Sequence, residues 1–340
     1  MDRIRPSYVT ALAIGVTALT FTWWRWRNGK YEKLPNKWRK VGELSDIFVF
    51  PVKSFGYIKE TEVECTQLGC KKGWLRDRTL MVIQSDGRFI TARKYPQMVL
   101  VTPSIEGSVL TLSAPGMIDI SIDLAYVEKK MLKVVIWGQS TPASDCGDEV
   151  ARWISRFMVK EDTGFRLVYY PLEKPSRDGR KHNKGFPLVE NSHIGAFPDE
   201  TSFSLMNKAS VDDLNNRLEK PVTALNFRLN FLVEGAKPLE EDTWEWVKIG
   251  DVIFRNIRPC TRCVHTTIDP NEGVKHPKME PLVTLREYRK VQDPALRRFT
   301  GDSPVMGIHL GLKGPNGTVK VGDPIYVNVS EKDDVQSTHV

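Results

Sequence analysis

From Glu43 onward the chain runs as short β-branched and aromatic stretches, cut apart by glycine, proline and aspartate turns. The first, Asp46-Ile47-Phe48-Val49-Phe50-Pro51-Val52, stops in Lys53-Ser54-Phe55-Gly56. Leu80–Ile83 and Arg88–Thr91 flank Ser85-Asp86-Gly87, which puts glycine where a hairpin turn asks for a positive φ. Met98–Val101, Val109–Leu112, Ile118–Ile122 and Leu132–Trp137 read as further strands, and Gly307–Val329 as two more around Gly314-Pro315-Asn316-Gly317. Helical periodicity is rarer. Ser144–Met158 places Val150, Trp153, Ile154, Phe157 and Met158 on one face. A capping-box-like start at Ser210-Val211-Asp212-Asp213 leads a short amphipathic helix stopped by Pro221, and Leu282–Val291 is a third candidate. The pattern predicts a β-dominated α+β protein, barrel-like, with peripheral helices.

Charge is distributed unevenly. The whole chain has 49 Lys and Arg against 42 Asp and Glu, a net of +7. Residues 1–40 hold nine of the basic residues and only Asp2 and Glu32, so the excess belongs to the N-terminal segment and the remainder balances at zero. A nucleic-acid role therefore loses its main support. Tyr8–Trp24 is free of charge, and Trp23 and Trp24 at its end with Trp26 just past it form an interfacial belt, with Arg25 and Arg27 starting a basic flank. That reads as a single N-terminal transmembrane anchor, and a cleaved secretory signal is the competing reading. The positive flank leaves the C-terminal body in the cytosol. The organisation that follows is an anchor over 1–27, a basic linker over 28–42, a β-rich region over 43–170, an exposed basic loop over 171–192, a second domain over 193–330 and a polar tail over 331–340.

Five cysteines, Cys65, Cys70, Cys146, Cys260 and Cys263, make a poor disulfide framework and read as free thiols in a reducing compartment. Two of them lie in Arg258-Pro259-Cys260-Thr261-Arg262-Cys263, where Arg262 is placed to hold positive charge beside Cys263 and favour its thiolate. The pair has several readings. It is half of a four-cysteine zinc site with Cys65 and Cys70, a thioredoxin-like disulfide centre, a ligand to another soft metal, or two core cysteines at a strand end. The redox centre is disfavoured because Val264-His265-Thr266-Thr267-Ile268 is β-branched and does not open a helix. The company of the pair argues for a ligand site. Pro51-Val52-Lys53-Ser54, Leu75-Arg76-Asp77-Arg78, Thr91-Ala92-Arg93 and Asn226-Phe227-Arg228-Leu229-Asn230 bring cations to strand ends, where a barrel mouth collects ligand contacts. Arg228 lies in an apolar run and requires an anionic partner, and several cations converging on one mouth suit a phosphate. No P-loop or GxGxxG is present.

PVKS, LRDR, TAR, DLNNRLEK, NFRLN, CTRC followed by TTIDP, and the closing GTVKVGDPIYV together resemble the MOSC family, and within it the mitochondrial amidoxime-reducing components. The resemblance runs from about residue 43 to 329. It implies a MOSC β-barrel with an N-terminal β-rich MOSC region and a bound Mo-molybdopterin cofactor. By that resemblance Cys263 is the one protein ligand to molybdenum, and Lys53, Ser54, Arg78 and Arg228 hold the pterin and its phosphate. Asn230, Cys260, Thr261 and Arg262 line the site. Thr201 and Ser202 stand where the family has a Thr-Ser-Pro run, and His309 stands where a tyrosine is common. The implied activity is molybdenum-dependent reduction of N-hydroxylated compounds (amidoximes, hydroxylamines, N-oxides) to amidines or amines. The implied electron donors are cytochrome b5 and its NADH-dependent reductase, at the mitochondrial outer membrane with the catalytic part facing the cytosol. A non-catalytic carrier of the cofactor and a zinc-stabilised membrane adaptor are the alternatives.

Overall fold

The computed structural model describes residues 33–128 and 131–329. Tyr8–Trp24, the first part of the expected linker and the 331–340 tail lie outside the described residues, and among those described no helix is long and apolar enough to cross a membrane. From Trp38 onward the chain forms one compact unit.

Its centre is a closed barrel of seven strands: β1 (Trp38–Val49), β2 (Phe203–Asn207), β3 (Phe231–Glu234), β4 (Trp246–Ile249), β5 (Val252–Thr261), β6 (Val305–Lys313) and β7 (Pro324–Asn328). They neighbour one another in the order β3-β2-β6-β5-β4-β7-β1, and β1 pairs back onto β3 to close the ring. A ring with an odd number of strands cannot be antiparallel throughout. The one parallel pair is β2 with β3, and helix α2 (Lys208–Asn215) lies within its crossover. Inward positions of the barrel are apolar, and Phe203 stacks on Phe231 with its edge against Phe254.

The linker expected over 28–42 gives way at Trp38 to β1, whose N-terminal half pairs with β7, the last strand among the described residues. The β-rich region contributes a second sheet in the spatial order Met131–Ile136, Gln139–Asp145, Phe165–Tyr169 and Leu80–Gln84. Helix α1 (Asp148–Val159) packs its Val150, Trp153, Ile154, Phe157 and Met158 face into that region's core. It starts later than expected because Ser144 and Asp145 are held in the sheet by Tyr169 and Val168.

Several local expectations change. Met98–Val101 is no strand: Pro96 opens a 3-10 turn over Pro96–Leu100, its fixed φ suiting a first helical position. Arg88–Thr91 makes only single bridges, Ile83 to Phe89 and Arg88 to Val135. Helix α2 begins before Ser210 and is capped by Asn207, whose side chain accepts from the Ala209 N–H. The third helix expected from the sequence, α3, covers Leu282–Tyr288. The 171–192 segment is only partly exposed. Phe186 and Val189 pack with Ile257 of β5, and buried Arg177 donates to the carbonyls of Ile194 and Pro198.

Candidate active site

One end of the barrel gathers the exits of β1 and β5 and the approaches to β2 and β3. The same closure that makes β2 and β3 parallel brings both their N-terminal ends to this mouth. Residues 50–54, leaving β1, are stitched to the Arg78–Leu80 segment. Arg78 N–H donates to the Phe50 carbonyl at 2.7 Å, Leu80 N–H to Pro51 at 3.0 Å and Lys53 N–H to Leu80 at 2.8 Å. Asp77, fully buried, ties the two segments to β3: its carboxylate accepts from Phe50 N–H at 2.9 Å, Asn230 Nδ2 at 3.0 Å and Arg78 Nη1 at 2.6 Å.

The mouth opens into a cavity of about 340 Å³. Ten of the twelve expected site residues line it: Lys53, Ser54, Arg78, Thr201, Arg228, Cys260, Thr261, Arg262, Cys263 and His309. Ser202 and Asn230 do not. Ser202 Oγ bonds the Gln67 and His193 carbonyls. Asn230 spends its amide on the Phe48 carbonyl, Asp77 and Ser204 N–H, so it braces the mouth from behind.

Three of the lining residues, Ser54 (φ 72°), Arg78 (φ 48°) and Arg228 (φ 53°), hold a left-handed backbone that side chains rarely adopt. Strain of this kind clusters where a fold grips a ligand. Arg78 Nη2 donates to the Arg228 carbonyl at 2.8 Å, and both guanidiniums lie against the Phe50 ring, at 4.7 and 4.1 Å from its centroid. Arg228 Nη2 is buried with no hydrogen-bond partner. Burial, with Arg78 adding to it, lowers Arg228 to about 9.

On the opposite wall Asp199 accepts from Lys53 Nζ at 2.5 Å, Arg93 Nη1 at 2.9 Å and Trp137 Nε1 at 3.1 Å. Burial alone would raise Asp199, but Lys53 and Arg93 hold it far below the usual carboxylate range. Burial in turn lowers Lys53 to about 8, against the pull of Asp199. Glu200 accepts from Arg258 and lies 3.7 Å from His182 Nε2. Burial pushes Glu200 up, and His182 and Arg258 bring it below its ordinary value. His309 shares a 2.7 Å bond with Thr201 Oγ1, and burial, with Arg258 adding to it, lowers it to about 3, so the ring is neutral at neutral pH.

The two cysteines of the motif differ sharply. Cys260, the penultimate residue of β5, lies on a buried face where burial raises its thiol, whereas Cys263 is exposed beyond the strand. Cys263 heads only a four-residue 3-10 turn, Val264–Thr267, too short for the helix of a thioredoxin-like centre. Cys65 and Cys70 face each other across neighbouring strands of a separate four-stranded sheet, buried in the same core cluster as the barrel's inward residues. Among the described residues no cluster of three or more His, Cys, Asp or Glu is placed to hold a metal ion, which removes support from a zinc site. Arg262 does not serve Cys263. Its guanidinium turns inward to the Met306 carbonyl, at 2.9 and 2.6 Å, and to that of Phe227 at 2.9 Å. Arg93, from the opposite wall, shares the open cavity lining with Cys263.

The chain matches two known family models. Residues 41–161 match the MOSC N-terminal beta barrel domain and residues 192–326 the MOSC domain. This chain belongs to the MOSC family. Mitochondrial amidoxime-reducing component 1 of Homo sapiens is 36% identical over 324 residues, covering 95% of this chain and 94% of that protein. Mitochondrial amidoxime reducing component 2 of Bos taurus is 37% identical over 305 residues, covering 89% and 87%. Component 1 of Danio rerio is 35% identical over 298 residues, covering 87% and 88%.

MOSC proteins are associated with the molybdenum cofactor. The residues of this MOSC mouth suit an anionic group of that kind. Five lining Lys and Arg (Lys53, Arg78, Arg93, Arg228 and Arg262) meet two lining carboxylates, Asp199 and Glu200, and one guanidinium nitrogen is buried without a partner. An exposed thiol stands at the same mouth for a soft metal. Asp77, Asp199, Trp137 and His182 were not picked out as site residues from the sequence. Only Asp77 carried a signal there, as the acid inside Leu75-Arg76-Asp77-Arg78, because the others depend on segments that meet only in the fold.

Proposed function

We propose that this protein is a molybdenum-cofactor reductase of N-hydroxylated compounds, taking amidoximes, hydroxylamines and N-oxides to amidines or amines. The observation that carries the reading is the buried, unpartnered Arg228 Nη2 at a mouth where Ser54, Arg78 and Arg228 all hold strained backbones. The names of the 33–37% identical relatives supply the reaction class.

Arg78, Arg228, Lys53 and Ser54 would hold the pterin and its phosphate, with His309, Thr201, Thr261 and Cys260 along the walls. Cys263 would ligate molybdenum. When bound, the cofactor supplies a metal that exchanges two electrons with substrate. The chain's own part is electrostatic and steric. Asp77 fixes Arg78, the Asp199 carboxylate fixes Lys53 and Arg93, and the apolar barrel closes the inner side to water. The overall conversion of an amidoxime consumes two electrons and two protons, breaks the N–O bond and releases the amidine and one water. The chain has no Rossmann signature and no haem motif, so the electrons come from outside. Cytochrome b5 and its NADH-dependent reductase are the donors in this reading, at the mitochondrial outer membrane with the barrel facing the cytosol. Tyr8–Trp24 serves as the anchor.

The test is NADH oxidation dependent on benzamidoxime, with full-length protein, cytochrome b5 and its reductase. The unmutated protein turns over and Cys263→Ser falls to background, while Cys260→Ser retains most of the rate because its side chain is a wall. Equal loss in both variants would return the pair to a dithiol reading, and no turnover in the unmutated protein would sink the proposal.

A further inference from the structure

The hairpin between Met131–Ile136 and Gln139–Asp145 belongs to the second sheet, yet its two-residue tip reaches the mouth. Trp137 and Gly138 both have positive φ, 50° and 74°, the geometry of a type I′ turn. Glycine, asparagine or aspartate fits the first of those positions, and a bulky aromatic there is an outlier. The indole is then fixed from several sides. Nε1 donates to Asp199, one ring contact is a stack on His182 at 5.4 Å and 24°, and Phe89 meets it edge-on at 5.5 Å. The Arg93 guanidinium lies 5.3 Å from its centroid. Despite these contacts Trp137 stays 42% exposed and lines the cavity. Trp137, Arg93 and Cys263 line the same cavity, so a group held beside Cys263 shares that space with the indole.

A large, rigid, strained aromatic that keeps open surface at a mouth is suited to recognise a flat ligand. Its neighbours sharpen the class, since His182 extends the aromatic step and Glu200 sits beside it. We infer that Trp137 selects substrate: its indole is the platform for planar, N–H-rich groups such as amidoximes and N-hydroxyguanidines, in preference to aliphatic amine N-oxides. An amidoxime or an amidine has a flat π face for the indole and N–H donors for the polar lining around it. A tetrahedral N-oxide offers neither a flat face nor N–H donors.

This inference rests on the proposed reductase activity, and its test is built to fail separately from it. Binding of benzamidine, the product amidine, is measured by calorimetry on the full-length protein, for the unmutated chain, Trp137→Phe and Trp137→Ala. Phe keeps a ring but loses the bond to Asp199, so it separates stacking from positioning. Affinity should drop about tenfold in Trp137→Ala and within about threefold in Trp137→Phe, a tenfold loss being about 1.4 kcal/mol and within the range of one aromatic contact. In turnover, Trp137→Ala should lower kcat/KM for benzamidoxime at least about tenfold more than for trimethylamine N-oxide. Unchanged benzamidine affinity in Trp137→Ala overturns the inference, as does equal loss in Ala and Phe, which would make the Asp199 bond the whole role. Loss of turnover shared equally by both substrates also overturns it. If the unmutated protein reduces neither compound, the reductase reading fails while the binding comparison still decides the role of the indole.

Discussion

Arg228 concentrates the conflict between stability and ligand binding in this barrel. Its backbone is left-handed, its guanidinium stands beside that of Arg78 against one phenyl ring, and one of its nitrogens is buried without a partner. An unmatched cation of this kind destabilises the empty protein and is relieved when an anion arrives. Cofactor-free Arg228→Met should therefore melt no lower than the unmutated cofactor-free protein, by calorimetric Tm; a marked drop would mean the guanidinium is structural. The sequence showed this residue through its apolar neighbours, Phe227, Leu229 and Phe231, because a cation among them needs a partner. It misled at Arg262. Adjacency to Cys263 along the chain suggested service to the thiol, but Arg262 continues past the end of β5 and turns onto the Met306 and Phe227 carbonyls. Side-chain direction depends on where a strand ends, and that could not be read from spacing.

Elements were legible where their cause is local. The α1 face showed as a 3.6-residue period, and the Val109, Ile120 and Met131 strands were found within a residue or two. The errors have equally local causes, Pro96 starting a turn and Asn207 capping α2 ahead of Ser210. Ser210 does other work: its hydroxyl donates to Glu241 at 2.8 Å, inside the junction of α2 with the 3-10 turn Glu240–Thr243. Glu241 is fully buried, and burial raises it from 4.5 to about 7 despite the bond from Ser210. The folded state therefore holds this proton more tightly than the unfolded chain does. Stability from this group is complete below about pH 4.5 and is lost as the pH rises through 7. Glu241→Gln, which mimics the protonated acid, should match the parent near pH 5 and exceed it by about 1–3 kcal/mol at pH 8.5 in denaturant titrations. A variant less stable than the parent at pH 8.5 would contradict the buried-acid account.

At the scale of the whole molecule, the β-dominated composition and the turn signals announced a barrel, but not how it closes. Closure pairs β1 with β7 at the two ends of the unit and joins β2 to β3 in parallel, contacts between residues far apart in sequence. The mouth is a product of that closure, which is why Lys53, Arg78, Arg228 and Cys263 were each weak as single motifs and strong only as an ordered set. The charge balance says the same: a body that is neutral overall keeps a cationic excess at one end of its barrel. What that excess is for can be measured directly, as molybdenum and pterin per chain in purified full-length protein and in Arg228→Met. The account predicts close to one of each in the unmutated protein and a severe loss in the variant. Stoichiometric zinc without pterin, or no molybdenum at all in the unmutated protein, would contradict it.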